Sequence, residues 1–203
     1  MSSARTPPAA GELHVWRVEP AGDDPRAGAR RALAAILAEY LGGAAGAART
    51  EIELSVAQDG KPRLAVAPER LSFNLSHSGD LALIAIAPGG VEVGVDLERL
   101  RSRRDLARLA ERWLPAADAA AVADAPAGPE REASFYAAWT RHEARVKCVG
   151  SGLGGPPPGP DVIAIQLPID AGYAAAVAVD GGTEAEEPRV VLRNWDPRGR
   201  REG

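Results

Sequence analysis

Three groups of residues in this chain have types and spacings suited to chemistry. In Val91-Glu92-Val93-Gly94-Val95-Asp96-Leu97-Glu98 every odd position is apolar and every even one is acidic or glycine. On a strand this pattern sorts into two faces and puts Asp96 and Glu98 on one of them, with α-carbons roughly 6.5 Å apart at about 3.3 Å per residue. Two carboxylates that close repel unless a cation lies between them. Oxygen ligands with positions left open for water and phosphate suit magnesium, and Gly94 on the same face leaves room for a ligand. A solvated acidic edge strand would read the same way, so the pair alone decides nothing.

The second group is Trp139-Thr140-Arg141-His142-Glu143-Ala144-Arg145-Val146-Lys147. Glu143 and Lys147 are four apart and so adjacent on a helix surface, the spacing of a site and equally of a routine ion pair. The third is Asn74-Leu75-Ser76-His77-Ser78-Gly79, whose hydroxyls and histidine can present donors to a phosphate, or simply form a serine-rich turn. Of the 24 basic residues only Lys61 and Lys147 are lysine. An ammonium is a compact point charge, suited to a phosphate oxygen or to proton transfer.

The elements that must position these groups follow from periodicity. Residues 13–18 alternate as a strand, and 26–41 carry Leu33, Ile36, Leu37, Tyr40 and Leu41 at helical spacing. Residues 52–56 form a short strand before a turn at Asp59-Gly60. Two apolar runs, 81–87 and 91–97, flank Pro88-Gly89-Gly90 and predict a hairpin. A short helix is expected near 105–113, then a loop through Pro115, Pro126 and Pro129. A longer helix spans 132–149 and ends at Gly150, and strands follow at 162–167, 173–179 and 189–195. The strand, Gly-Gly turn and strand of 81–98 echo in 173–196, which suggests two similar α+β halves. The expected organisation is a disordered tail (1–11), an N-terminal half (12–100), a C-terminal half (101–197) and a frayed end (198–203).

Composition bounds the function. With 203 residues and 45% hydrophobic content the chain can bury a core. A net charge of −4 argues against non-specific nucleic-acid binding. The single cysteine, Cys148, forms no internal disulfide and supports no cysteine-rich zinc site. No run of about 20 apolar residues and no signal-like start is present, so a cytoplasmic protein without a membrane partner is expected.

Taken in order, Gly60-Lys61-Pro62, Phe73-Asn74-Leu75-Ser76-His77-Ser78, Gly94-Val95-Asp96-Leu97-Glu98 and Trp139 to Lys147 closely resemble the signature series of the surfactin-synthetase-type 4′-phosphopantetheinyl transferases. The resemblance covers roughly residues 30–180. It implies two α+β halves related by a pseudo-two-fold, with coenzyme A bound between them. Asp96, Glu98 and Glu143 would hold Mg2+ with the pyrophosphate of coenzyme A. Lys61 and His77 would meet phosphates with Ser76 nearby, Arg31 would meet the 3′-phosphate end, and Lys147 would lie against the pyrophosphate. Glu143 and Lys147 would act catalytically, and an apo acyl or peptidyl carrier protein would supply the acceptor serine to a monomeric enzyme.

Two departures stand out. His142 replaces the lysine usual before the glutamate, which makes one positive charge at the site pH-dependent. Residues 19–28 are short and acidic at Asp23-Asp24, where relatives often carry a longer basic segment. Two other readings use the same residues: a magnesium-dependent coenzyme A or nucleotide diphosphatase, and a carrier-binding module without turnover. Arg101, Arg103, Arg104 and Arg108 are candidates for steering an acidic carrier, and equally for an ordinary solvated face.

Overall fold

The computed structural model describes residues 5–42, 52–56, 60–152, 154–181 and 187–196. In chain order they form β1 (Glu12–Val18), α1 (Pro25–Tyr40), β2 (Leu54–Val56), β3 (Pro62–Leu64), β4 (Leu71–Ser78), β5 (Leu81–Pro88) and β6 (Val93–Arg99). Then come α2 (Leu106–Trp113), α3 (Ala116–Asp124), α4 (Pro129–Val149), β7 (Val162–Gln166), β8 (Tyr173–Asp180) and β9 (Arg189–Trp195). The architecture is a mixed α+β fold.

Strands β4-β5-β1-β9 make one sheet, β6-β8-β7 a second, and β2-β3 a separate ribbon. The even residues of β1 and β5, among them Trp16, Ile84 and Ile86, pack against Leu33, Ile36 and Leu37 of α1. The odd residues Leu13, Val15, Leu83 and Ala85 face Val93, Val95, Val177 and Val179 of the second sheet. On that sheet's far side Ala176 and Ala178 pack against Ala144 and Cys148 of α4. The order of layers is therefore helix, sheet, sheet, helix. Leu81 to Ala87 is buried throughout because β5 is covered on both faces, which is why it reads as an unbroken apolar run.

The expected hairpin between residues 81–87 and 91–97 does not form. β5 pairs with β4 and β1, whereas β6 pairs with β8 in the other sheet. The Gly89-Gly90 turn carries the chain from one sheet to the other, because the apolar odd face of β6 is buried by facing β5 across the core rather than by lying beside it. The later run does the reverse: β8 lies in the three-stranded sheet and β9 crosses back to pair in parallel with β1. Each sheet therefore holds a strand from the other side of residue 100.

Local chemistry sets the helix ends. Asp24 caps α1 by accepting from the Arg26 and Ala27 amides at 2.9 and 3.2 Å, with Pro25 at the first helical position. Pro129 likewise opens α4 three residues before the expected start. Gly150, at φ 71°, supplies the left-handed residue that ends α4. The expected loop after α2 contains α3, in which proline again precedes the helix instead of breaking it and Val122 is buried.

The expected tail also packs in part, since the Arg5 amide donates to the Glu39 carbonyl, its guanidinium pairs with Glu39, and it lies 4.4 Å from the Trp16 ring centroid. The turn at Asp59 and the end from residue 198 lie outside the described residues. No helix among the described residues is long and apolar enough to cross a membrane.

Candidate functional site

Strand β4 runs beside β6 and joins it through side chains. Asn74 Oδ1 accepts from the Val95 amide at 3.0 Å, Ser76 Oγ from the Leu97 amide at 3.3 Å, and Ser78 Oγ from the Arg99 amide at 3.0 Å. The amides of β6 that point away from β8 are thus met by every second residue of β4. The stretch, for which a serine-rich turn was one of two readings, is a strand, and its polar positions 74, 76 and 78 recur with the strand period of two. That period was the available signal for Asn74 and Ser78, which the sequence reading grouped with phosphate donors or a turn rather than with a link between strands.

Ser76 Oγ has further partners: it donates to Asp96 Oδ1 at 3.1 Å and accepts from Lys147 Nζ at 3.1 Å. Lys147 Nζ lies 2.6 Å from Asp96 Oδ1. One strand of each sheet and the last turn of α4 therefore converge on a single carboxylate. Ser78 Oγ donates to Glu98 Oε2 at 3.2 Å, so the ladder also orients the second acidic residue of β6.

Glu143, one helical turn before Lys147, faces the same group. Burial, reinforced by the Asp96 charge, holds its carboxyl above the usual carboxylate range, against the opposing pull of Lys147. Glu98 is raised for the same reasons, burial first and Asp96 second. Burial and the Arg145 charge push His142 below its ordinary value, so near neutral pH it adds no charge where the sequence reading placed a titrating one.

Among the described residues Lys147 is the cation hydrogen-bonded to this group, and carboxylate oxygens are left unused. Asp96 Oδ2 and Glu143 Oε1 are buried and have no hydrogen-bond partner among the described residues. Buried carboxylate oxygens are costly unless paired, and hard oxygen donors of this kind fit a hard divalent cation. Among the described residues, no three His, Cys, Asp or Glu side chains are drawn into a metal-holding cluster. Lys147 instead occupies Asp96 Oδ1.

The other expected site residues lie elsewhere. His77 points from the opposite side of β4, where its Nε2 accepts from Arg26 Nε at 3.0 Å. Arg31 donates to the Ala21 carbonyl at 2.8 Å. Lys61 is buried, and its ammonium donates to Glu92 Oε2, the Val93 carbonyl and the Cys148 carbonyl at 2.6, 2.9 and 3.0 Å. Burial would raise the Glu92 carboxyl, but hydrogen bonds from Lys61 and Arg63 outweigh it and hold Glu92 below the usual range.

The stretch that carries Asp96, Glu98, Glu143 and Lys147 matches a known family. Residues 92–190 fit the family model described as the 4′-phosphopantetheinyl transferase superfamily. This stretch is similar to the 4′-phosphopantetheinyl transferase superfamily. It is 35% identical over 120 residues to the 4′-phosphopantetheinyl transferase HetI of a Nostoc species, covering 58% of this chain and 50% of that protein. It is 38% identical over 96 residues to the 4′-phosphopantetheinyl transferase AcpT of Salmonella typhi, covering 47% of this chain and 48% of the relative. It is 37% identical over 95 residues to psf-1, a 4′-phosphopantetheinyl transferase of Bacillus pumilus, covering 47% of this chain and 38% of that one. The chain thus spans about half or less of the length of these relatives. The matched stretch contains β6, α4, β7 and β8, while Arg31, Lys61, Ser76 and His77 precede it.

Proposed function

We propose that the protein transfers the 4′-phosphopantetheine group of coenzyme A to a serine hydroxyl of an apo acyl or peptidyl carrier protein and releases adenosine 3′,5′-bisphosphate. The observation that carries this reading is the convergence of Asp96, Lys147 and Ser76, with buried unpaired oxygens on Asp96 and Glu143, around a segment similar to the transferase superfamily. The two sheets, with their exchanged strands β6 and β9, are the two halves of a pseudo-two-fold fold, and the site lies on the seam at which β4 meets β6.

In the reaction the serine oxygen forms a bond to the β-phosphorus as the bond from that phosphorus to the bisphosphate oxygen breaks. Asp96, Glu98 and Glu143 would hold Mg2+, which when bound neutralises charge on the pyrophosphate oxygens. Lys147 exchanges Asp96 for a phosphate oxygen and stabilises the charge growing there, the main lever in such transfers. Glu143, held partly protonatable by burial, takes the serine proton. Ser76 keeps Asp96 oriented through its hydroxyl. His77, with Arg26 beside it, and Arg31 flank the start of α1 and serve the nucleotide end of coenzyme A.

Intact-mass measurement of an apo carrier incubated with coenzyme A, Mg2+ and this protein tests the proposal. A phosphopantetheine adduct on the carrier supports it. Cleavage of coenzyme A without an adduct would assign a diphosphatase instead, and carrier binding with neither change would leave only a docking module.

A further inference from the structure

The Lys61 side chain is 5% exposed, yet it sits outside the acidic group. Among the described residues its acceptors include two main-chain carbonyls: Val93, the first residue of β6, and Cys148, in the last turn of α4. The last four carbonyls of a helix lack intrahelical donors, so the ammonium satisfies one of them. Between these two contacts the backbones of α4 and β6 touch directly. A Cβ on Gly94 would overlap the Ala144 carbonyl oxygen and the Cys148 amide nitrogen. Lys61 thus ties the strand to the helix at the point of closest approach.

The functional side chains are fixed from that point. Asp96 is two residues along β6 on the face of Gly94, while Glu143 and Lys147 immediately precede Ala144 and Cys148 on α4. Elsewhere α4 meets β8 through the small side chains Ala176 and Ala178, which offer little to stop sliding. A slip of one residue along the helix, about 1.5 Å, would separate Lys147 Nζ from Asp96 Oδ1, now 2.6 Å apart.

We propose that Lys61 is a positioning residue that sets the register of α4 on β6 by bridging the Val93 and Cys148 carbonyls, and that it does not touch the substrate. The inference builds on the transferase reading above and adds to it the device that aligns Lys147 with Asp96. In Lys61→Met both carbonyls lose their donor. The expected result is a fall in kcat of about 10- to 100-fold, the scale of a misplacement near 1 Å, with KM for coenzyme A changed less than about twofold. Amide hydrogen exchange in the last turn of α4 should also accelerate, a readout that needs neither metal, coenzyme A nor carrier.

Lys61→Gln, whose shorter amide still donates two hydrogen bonds, should give intermediate losses in both kcat and protection. It carries the test if Lys61→Met does not fold. A KM for coenzyme A raised tenfold or more at unchanged kcat would overturn the proposal, because Lys61 would then be a phosphate contact. Unchanged exchange in both variants would overturn it as well. Failure of the transferase reading would appear separately, as wild-type protein that leaves the carrier unmodified.

Discussion

Lys147 Nζ lies 2.6 Å from Asp96 Oδ1, an ion pair that links the last turn of α4 to the middle of β6. The two ends differ in environment: the Asp96 side chain is 4% exposed and that of Lys147 31%. Losing the carboxylate therefore lets the ammonium regain water, whereas losing the lysine strands a buried anion.

Asp96→Ala is expected to fold and to lose transfer activity by at least about 100-fold, the cost of removing one electrostatic group from a reacting centre. Lys147→Met should lose both activity and stability, because breaking a buried pair from the charged side costs roughly 3–5 kcal/mol before discounting for the partial exposure of Lys147. Mass-shift kinetics and urea unfolding of the two variants check the contrast. Equal stability losses would mean that Asp96 is not the buried partner.

Mg2+ should raise the melting temperature of the wild-type protein, since a ligand bound only by the folded state stabilises it, by about 2.7 kcal/mol at 100 times its dissociation constant. Asp96→Asn and Glu143→Gln should each abolish the effect, because each removes a charged donor whose partner oxygen is buried and unpaired. A Mg2+ response that survives in both variants would place the cation elsewhere.

The ladder from β4 to β6 predicts a graded response. Asn74 is buried and its Oδ1 accepts from the buried Val95 amide, so Asn74→Leu should cost about 1–3 kcal/mol as that amide loses this acceptor. Ser78 serves the exposed Arg99 amide, which water can satisfy, so Ser78→Ala should cost less. Chemical denaturation of both variants measures the order, and a reversal would refute the ladder's role in joining the sheets.

The same ladder shows where the sequence was readable and where it was not. Alternation in residues 91–98 placed Asp96 and Glu98 on one face of a strand, and helical spacing placed Glu143 beside Lys147, because both are local periodicities. Strand pairing is not local. Nothing in 81–97 distinguishes a hairpin from a crossover, since either buries the same apolar faces, and only the packing of β6 over β5 separates them. Lys61 shows the same limit: its scarcity singled it out, but the bridge it makes to Glu92 and to the Val93 and Cys148 carbonyls depends on tertiary contacts that no local pattern reveals. Prolines 115 and 129 read as loop residues although each stands at a helix start, where a missing amide costs nothing.

His14 should make the protein acid-sensitive. Burial, then the Arg193 charge, pushes its pKa below the ordinary 6.5. Its Nδ1 lies 2.6 Å from the Tyr40 hydroxyl, which accepts from Trp16 Nε1 at 3.0 Å. Its Nε2 lies 3.3 Å from Glu12 Oε1 and 3.4 Å from the Arg193 guanidinium. As pH falls through 6.5, the unfolded chain binds a proton that the folded protein resists, so stability present above that value is lost on acidification. His14→Gln should flatten this part of the stability profile relative to wild type in urea titrations between about pH 7 and pH 5. An unchanged slope would show that His14 does not contribute to it.

Gly94 offers the most direct check on how β6 carries α4. Its position in the strand pattern suggested space for a ligand, but that space is filled by helix backbone: an added Cβ would meet the Ala144 carbonyl oxygen and the Cys148 amide, neither of which can rotate away as a flexible side chain would. Gly94→Ala must therefore push α4 outward or bend β6. Overpacking of this kind costs typically about 1–3 kcal/mol and sometimes more, which for a chain of this size lowers Tm by about 2–4 °C per kcal/mol. The displacement should also pull Lys147 from Asp96, so transfer activity is expected to fall in the fraction that remains folded. A variant with wild-type Tm and activity would mean that α4 does not rest on β6 at this point.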